Sequence, residues 1–178
     1  MSRRNDRSTK AQHRLSHTTA DGQMRMVDVT GKPVTSRVAT ATSRVRMRPD
    51  VLDTLLASDL PKGDALAAAR LAGVLAAKRT AEWIPLCHPL PLDWIQISFA
   101  RVARDELLVA STVKTTARTG VEMESLTAVS AAALTLYDMA KSADPQIVIG
   151  PTQLEIKRGG KSGDYRRRGP SSGERMTP

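Results

Sequence analysis

The chain has 178 residues, 40% of them hydrophobic and 25% charged, proportions that are usual for a globular protein and exclude a largely disordered chain. A single cysteine, Cys87, excludes an internal disulfide framework. No apolar run approaches the roughly 18–20 residues of a membrane-spanning helix. The polar, basic N-terminus lacks the apolar core of a secretory signal, so we expect a cytoplasmic protein.

The net charge of +9 is concentrated at the two ends of the chain. Residues 1–14 carry five basic side chains and one acidic, and residues 157–178 carry seven basic and two acidic. Residues 15–156 hold fifteen side chains of each sign, so the body of the chain is neutral. Because a nucleic-acid-binding domain usually presents a basic face, the neutral body argues against one. It still allows a small anion pocket.

The first half of the body predicts one strand and two helices. Residues 34–47 alternate small or β-branched side chains with polar ones, which indicates a strand. Residues 51–56 have helical apolar spacing that Pro61 ends, and Asp64 caps a longer helix over residues 65–80.

The second half completes an α+β fold. In chain order we expect an irregular proline-rich connection, a β-hairpin, an alanine-rich helix and a bent final strand, at residues 84–92, 94–115, 121–142 and 146–157. This order is that of the ferredoxin-like βαββαβ fold, an antiparallel sheet packed against helices.

Only the body of the chain has apolar periodicity, and this predicts the domain organisation. We expect a single catalytic domain over residues 21–168. We expect residues 1–20 to form a disordered basic tail and residues 169–178 to form a second disordered tail, since neither segment has a core-forming pattern. We expect removal of residues 1–14 and 170–178 to leave activity nearly intact.

The sequence Leu86-Cys87-His88-Pro89 places a thiol and a histidine in a stiff connection. A buried thiol beside a surface histidine is the simplest interpretation. Structural zinc needs three or four ligands, and the body has no second Cys/His pair. A Cys–His nucleophilic pair is disfavoured because neighbouring side chains rarely face each other.

The alanine-rich helix carries acidic side chains near both of its ends. Glu122 and Glu124 open it, where carboxylates often serve only as partners of the helix dipole. Glu124 and Asp138 lie about 40° apart around the helix, at ~100° per residue, with small residues between them. Lys141 reaches Asp138 at i,i+3 spacing. A surface ion pair and an acid/base unit both fit this pattern.

Basic residues at scattered positions would suit an anionic ligand. Lys62 precedes a helix start, where free backbone N–H groups attract anions. The glycine-rich stretch at residues 157–164 lacks the spacing of a P-loop, so a flexible exit from the domain fits it equally well. Five of these cations together could neutralise a polyphosphate. They are Arg37, Lys62, Lys141, Lys157 and Lys161.

Seven short motifs in register over about residues 14–168 resemble the MoaC family, the cyclic pyranopterin monophosphate synthases of molybdenum-cofactor biosynthesis. The motifs lie at residues 26–29, 62–64, 76–78, 84–90, 119–124, 136–141 and 159–164. Each motif alone is weak, but their common order and spacing are highly specific.

The resemblance implies a phosphorus–oxygen lyase with a ferredoxin-like subunit. Its substrate would be the 3′,8-cyclised dihydro-GTP made by a radical SAM cyclase, its functional partner, and its products cyclic pyranopterin monophosphate and diphosphate. It also implies a homohexamer, a trimer of dimers, with active sites between subunits. We expect no membrane or nucleic-acid partner, no resident metal and no cofactor, with Mg²⁺ accompanying the triphosphate left open.

Matched residue by residue, the resemblance assigns roles to the positions singled out above. Asp138 takes the active-site position, and Lys62 and Lys141 match lysines with acid/base or phosphate-binding roles. The substrate-binding positions are Leu86, Cys87, His88, Glu122, Met123 and Glu124, with Arg37, Lys157 and Lys161 near the triphosphate. The residue chemistry agrees, because rearranging a purine into a pterin needs positioned acids and bases, and expelling diphosphate needs clustered positive charge.

Two functions of other classes compete with this assignment. A ferredoxin-like RNA-binding module with basic arms would carry stacking aromatics in a K/R-G-F/Y-type motif, which the chain lacks. A non-catalytic assembly subunit would make the acidic and basic residues surface decoration. Activity on the cyclised nucleotide separates the three.

Overall fold

The computed structural model describes residues 23–161 and 163–168, so the tails expected at residues 1–20 and 169–178 lie outside the described residues. Within this range the elements are, in chain order, β1 (Thr35–Arg46), α1 (Pro49–Leu56), α2 (Ala65–Lys78), α3 (Thr80–Trp83), β2 (Trp94–Ala103), β3 (Glu106–Ala117), α4 (Glu122–Ala140), β4 (Val148–Arg158) and β5 (Tyr165–Arg166).

The strands form one antiparallel sheet in the order β2-β3-β1-β4-β5. The first four strands have the order that a βαββαβ chain adopts, which confirms the predicted α+β fold. The central strand β1 buries alternate residues, Ala39, Ala41, Ser43 and Val45, on the face toward the helices. The predicted hairpin is β2 and β3, which turn at Arg104 and Asp105.

The core lies between the sheet and the helices and consists of aliphatic side chains. Leu52, Leu107 and Leu136 are among its largest fully buried members, and alanines fill much of the space between them. At Gly73 of α2, a Cβ atom would lie 3.0 Å from the Ala128 carbonyl oxygen of α4. The two long helices therefore approach closely at this point. No helix of the described residues is long and apolar enough to cross a membrane.

The structure differs from the sequence-based expectation at three places. The helix expected over residues 65–80 ends at Lys78, and the separate turn α3 follows because Thr80 Oγ1 donates to the carbonyl oxygens of Ala76 and Ala77 at 3.3 and 3.0 Å. The final strand is continuous, with register shifts against β1 where a bend was expected. The two-residue strand β5 was not predicted, because it is too short for any periodicity.

The topology separates the chain's polar groups into two regions. The start of β1, the end of β3 and the end of β4 meet at one end of the sheet, where Thr35 pairs with Ala117 and Val38 with Arg158. Helix α4 begins at this end and runs to the other, where it meets the start of α2. Both regions carry residues singled out from the sequence.

Candidate functional site

A cavity of about 360 Å³ lies at the start of α4 and brings together two of the predicted segments. We call it the carboxylate cavity; its walls include Leu86, Cys87 and His88 from the connection between α3 and β2, and Glu122, Met123 and Glu124 from the first turn of α4. All six were predicted substrate-binding residues. Val27, Val29 and Lys32 also line it.

Glu124 is the most perturbed group of the carboxylate cavity. Its side chain is buried, with 4% of the residue's surface exposed. Burial, and to a smaller extent the negative charge of Glu122, raise the pKa of Glu124 to about 7. A carboxyl group that titrates near neutral pH can donate or accept a proton, which a simple partner of the helix dipole would not do.

Cys87 and His88 differ in what they offer the cavity. The pKa of the half-buried Cys87 thiol is raised, first by burial and then by the charges of Glu124 and Glu122. The thiol therefore stays protonated at neutral pH and is a poor nucleophile. Hydrogen bonds from Thr30 lower the pKa of Asp28, and Arg25 and His88 make smaller electrostatic contributions, so His88 lies near Asp28.

A second cavity, of about 850 Å³, adjoins the first and is strongly basic. We call it the basic cavity; its charged lining residues are Lys32, Arg37, Arg118, Lys157, Lys161 and Glu122. Lys32, Thr119, Gly120 and Glu122 line both cavities. Five cations against one carboxylate give an environment suited to a polyphosphate.

The glycine-rich loop after β4 shapes the basic cavity by leaving room for Arg37. A Cβ atom at Gly160, whose φ is +91°, would lie 1.6 Å from Arg37 Nη1. Gly160 thus allows the guanidinium to lie against the loop backbone, in a conformation that favours glycine. Glu122 Oε1 lies 3.4 Å from Lys157 Nζ, an ion pair that links the start of α4 to the end of β4.

Three other predicted residues form a cluster at the far end of α4. Lys141 Nζ lies 2.7 Å from Asp138 Oδ1, and Lys62 Nζ lies 3.0 Å from Asp138 Oδ2. Lys62 Nζ also donates to the Asp138 carbonyl oxygen at 2.7 Å, so it satisfies an acceptor in the last turn of the helix. We call these three residues the lysine–aspartate cluster.

Hydrogen bonds from Lys141 and Lys62, in that order, lower the pKa of Asp138 to about 2. Asp138 in turn raises the pKa of Lys141. At neutral pH Asp138 is therefore an ionised carboxylate and Lys141 is protonated.

Within a single chain the lysine–aspartate cluster lies far from the carboxylate cavity and the basic cavity. Glu122 and Asp138 are sixteen residues apart on α4, which corresponds to about 24 Å along the helix axis. Within one chain the five cations of the expected polyphosphate cluster lie in two places: Arg37, Lys157 and Lys161 line the basic cavity, whereas Lys62 and Lys141 bind Asp138. That all five serve one polyphosphate stays a prediction. The stripe from Glu124 to Asp138 also runs from a buried end to an exposed end.

Two charged residues that line the cavities were not predicted as site residues: Lys32 lines both cavities, and Arg118 lines the basic cavity. Asp28, which lines neither cavity, lies near His88. Residues 26–29 were noted as a motif, but no side chain in the segment has a spacing that indicates chemistry. The sequence 28–32 does carry a signal of local turn structure, an aspartate two residues before a threonine and then a glycine.

Among residues 23–161 and 163–168, no group of three or more His, Cys, Asp or Glu side chains is arranged to hold a metal ion. The ionisable groups that line the cavities are carboxyls, one imidazole, one thiol and cations. These groups suit proton transfer and phosphate binding.

Comparison with known proteins gives one consistent result. The MoaC family model matches residues 26–160. The chain is 54% identical over 153 residues to the cyclic pyranopterin monophosphate synthase of Brevibacillus brevis, covering 86% of this chain and 96% of that protein. It is 53% identical over 168 residues to the enzyme of the same name from Streptomyces griseus, covering 94% of this chain and 93% of that protein. It is 55% identical over 151 residues to the enzyme of the same name from Corynebacterium efficiens, covering 85% of this chain and 97% of that protein. The chain belongs to the MoaC family.

Proposed function

We propose that the protein is a cyclic pyranopterin monophosphate synthase. It converts 3′,8-cyclised dihydro-GTP, supplied by a radical SAM cyclase, to cyclic pyranopterin monophosphate and releases diphosphate, acting as a phosphorus–oxygen lyase. The relatives of that name at 53–55% identity support the assignment over most of the chain. The cytoplasm is the compartment that we expect, since the one cysteine suits a reducing environment.

One observation of the structure carries this proposal: the carboxylate cavity and the basic cavity share a wall at Glu122. A nucleotide in this position would place its ring system against His88 and Glu124 and its triphosphate among the cations. The basic cavity carries an excess of positive charge comparable with the negative charge of a triphosphate. The two halves of the substrate thus match the two cavities.

The residues of each cavity suit one half of the reaction. Ring rearrangement moves protons several times, and Glu124, with a pKa of about 7, exists in both protonation states at neutral pH. The cyclic phosphate forms when a hydroxyl oxygen attacks the α-phosphorus and the bond to the β-phosphate oxygen breaks. Arg37, Lys157 and Lys161 line the basic cavity and in this proposal stabilise the negative charge that develops on the diphosphate leaving group.

The lysine–aspartate cluster would join this site from a second subunit. Its separation from Glu122 by about 24 Å along α4 prevents it from reaching the same nucleotide in its own chain. The cluster is exposed, so a neighbouring copy can approach it. We therefore propose a homohexamer, a trimer of dimers, in which each nucleotide lies between two chains and Asp138, Lys62 and Lys141 complete the site.

Turnover of the cyclised nucleotide by the purified protein tests the function. We expect cyclic pyranopterin monophosphate and diphosphate to form in equal amounts, as measured by chromatography with mass detection. GTP, which lacks the 3′,8 bond, is the matched control and should remain unchanged. Repeating the reaction with EDTA tests whether Mg²⁺ must accompany the triphosphate. Recovery of the cyclised nucleotide unchanged from folded, hexameric protein would refute the proposal.

A further inference from the structure

The segment at residues 25–33 forms walls of both cavities without belonging to a helix or a strand. Val27 and Val29 face the carboxylate cavity, and Lys32 faces both cavities. Local hydrogen bonds fold the segment: the Thr30 amide donates to Asp28 Oδ1 at 2.8 Å, the Thr30 hydroxyl donates to the same oxygen, and the Lys32 amide donates to the Val29 carbonyl oxygen at 3.0 Å. These bonds shape the turn but do not fix its position against the sheet.

Arg118 connects this segment to the sheet. It follows the last residue of β3, and its Nε donates to the Lys32 carbonyl oxygen at 3.2 Å. Its own carbonyl oxygen accepts a hydrogen bond from Arg37 Nη2 at 3.4 Å. One residue at the end of a rigid strand thus contacts two of the cations of the basic cavity, one through its side chain and one through its backbone.

We propose that Arg118 is a positioning residue that holds the segment at residues 25–33 against the two cavities. Its side chain fixes the backbone at Lys32 and thereby directs the Lys32 side chain toward the anion and the two valines toward the ring system. This inference deepens the proposed function, on which its kinetic part rests. The structural claim, that Arg118 orders the segment, does not depend on whether the protein has synthase activity.

The variant Arg118→Met tests the contact, because methionine places a methyl group near the position of Nε and removes the donor. Hydrogen exchange measured by mass spectrometry, in the absence of nucleotide, reports on the peptide spanning residues 26–33. We expect exchange of the Thr30 and Lys32 amides to become about 10-fold faster, with unchanged exchange in β1, β3 and α4. For the cyclised nucleotide we expect KM to rise by about 10-fold with kcat within about threefold of the wild-type value.

Arg104→Met is the matched control, since Arg104 is an exposed arginine at the opposite end of the same hairpin. It should leave both the exchange of residues 26–33 and KM unchanged. A higher KM in Arg118→Met with wild-type exchange would overturn the proposal and make Arg118 a direct ligand of the phosphates. Faster exchange in a protein without synthase activity would keep the positioning role and refute the proposed function instead.

Discussion

At the scale of single residues, Asp138 shows how neighbours decide the role of a carboxylate. Its two oxygens accept from two lysines, and its pKa falls to about 2. A carboxylate that remains ionised over the whole physiological range is a poor general acid. We therefore infer that Asp138 orients the side chains of Lys62 and Lys141 and keeps Lys141 protonated, so that Lys141 can donate a proton to the substrate.

Removing this charge should abolish most of the activity without unfolding the protein. We expect Asp138→Asn and Lys141→Ala each to lower the single-turnover rate by at least ~100-fold, the scale of a lost acid/base group. The double variant should lose much less than the product of the two single losses, because residues that act as a unit are not additive. Asp53→Asn is the control, since Asp53 pairs with Arg101 at 2.6 Å in an exposed ion pair away from both cavities. Near-normal rates for Asp138→Asn would mean that the cluster is an ordinary surface pair.

Glu124 makes a testable contribution to the pH dependence of stability. Its native pKa of about 7 lies above the ordinary value of 4.5, so the native state binds the proton more tightly than the unfolded state does. The free energy of unfolding should therefore fall as pH rises from about 4.5 to about 7 and change no further above that. The expected loss from this group is about 3 kcal/mol.

Urea unfolding of the wild type and Glu124→Gln at a series of pH values between 4.5 and 8 measures this effect. The glutamine variant should lack the decline, because a neutral amide resembles the protonated carboxyl, so that the two stability curves diverge as pH rises. Glu82→Gln, at an exposed position of α3, should follow the wild type. Parallel curves for wild type and Glu124→Gln would contradict a carboxyl group that is protonated by burial.

At the scale of elements, the sequence predicts those whose pattern is long and misses those that depend on the rest of the fold. The alternation of β1 and β3 over twelve residues each and the apolar spacing of α2 identify these elements from the sequence alone. The split between α2 and α3 depends on Thr80, whose hydroxyl bonds back to the helix, and such competition is invisible to periodicity.

The candidate site divides in the same way. Glu122, Glu124 and His88 lie in recognisable local sequences, and each lines the carboxylate cavity. Lys32 and Arg118 lie at the cavities only because the end of β3 passes the segment before β1, and this is a contact between residues 86 positions apart in sequence. A single sequence carries no signal for such a contact, whereas the i,i+3 pair of Asp138 and Lys141 follows from helical geometry.

The glycine-rich loop after β4 allows a test at the scale of an element. Gly160 and Gly163 both have positive φ, at +91° and +70°, so alanine strains the backbone at either position. Only at Gly160 would the new methyl group collide with Arg37, because no atom lies within 4 Å of a Cβ at Gly163. The two variants therefore separate backbone strain from displacement of the guanidinium.

We expect Gly160→Ala to weaken binding of inorganic diphosphate by about 10-fold or more, as measured by calorimetry, since a displaced charge-assisted contact costs about 1.5–3 kcal/mol. Gly163→Ala should bind diphosphate within about threefold of the wild type, although both variants lose a similar amount of stability. Equal binding by both variants would show that Arg37 does not contact the phosphates.

At the scale of the whole molecule, one chain leaves several surfaces without a partner. The helices cover one face of the sheet, whereas the other face carries partly exposed side chains such as Thr40 and Thr112, which share a hydrogen bond of 3.1 Å. Leu71, Trp83 and Leu134 are exposed on the helices, with 54–61% of each residue accessible. These surfaces, and the distance between the lysine–aspartate cluster and the cavities, agree with the proposed assembly.

Light scattering should give about six times the subunit mass, and a monomer at micromolar concentration would contradict a site shared between chains.

Complementation between two inactive variants tests the shared site directly. Asp138→Asn damages the lysine–aspartate cluster and Glu124→Gln damages the carboxylate cavity, so each homo-oligomer should be inactive. If every site combines the cluster of one chain with the cavities of another, a mixed dimer contains one intact site and one site with both changes. Random mixing makes half of the dimers mixed, so unfolding the two variants together and refolding them should restore about a quarter of the wild-type activity. Refolding Asp138→Asn with Lys141→Ala is the control and should restore nothing, since both changes lie in the same cluster. Failure of the first pair to regain activity, while mass spectrometry shows mixed oligomers, would place each complete site within a single chain.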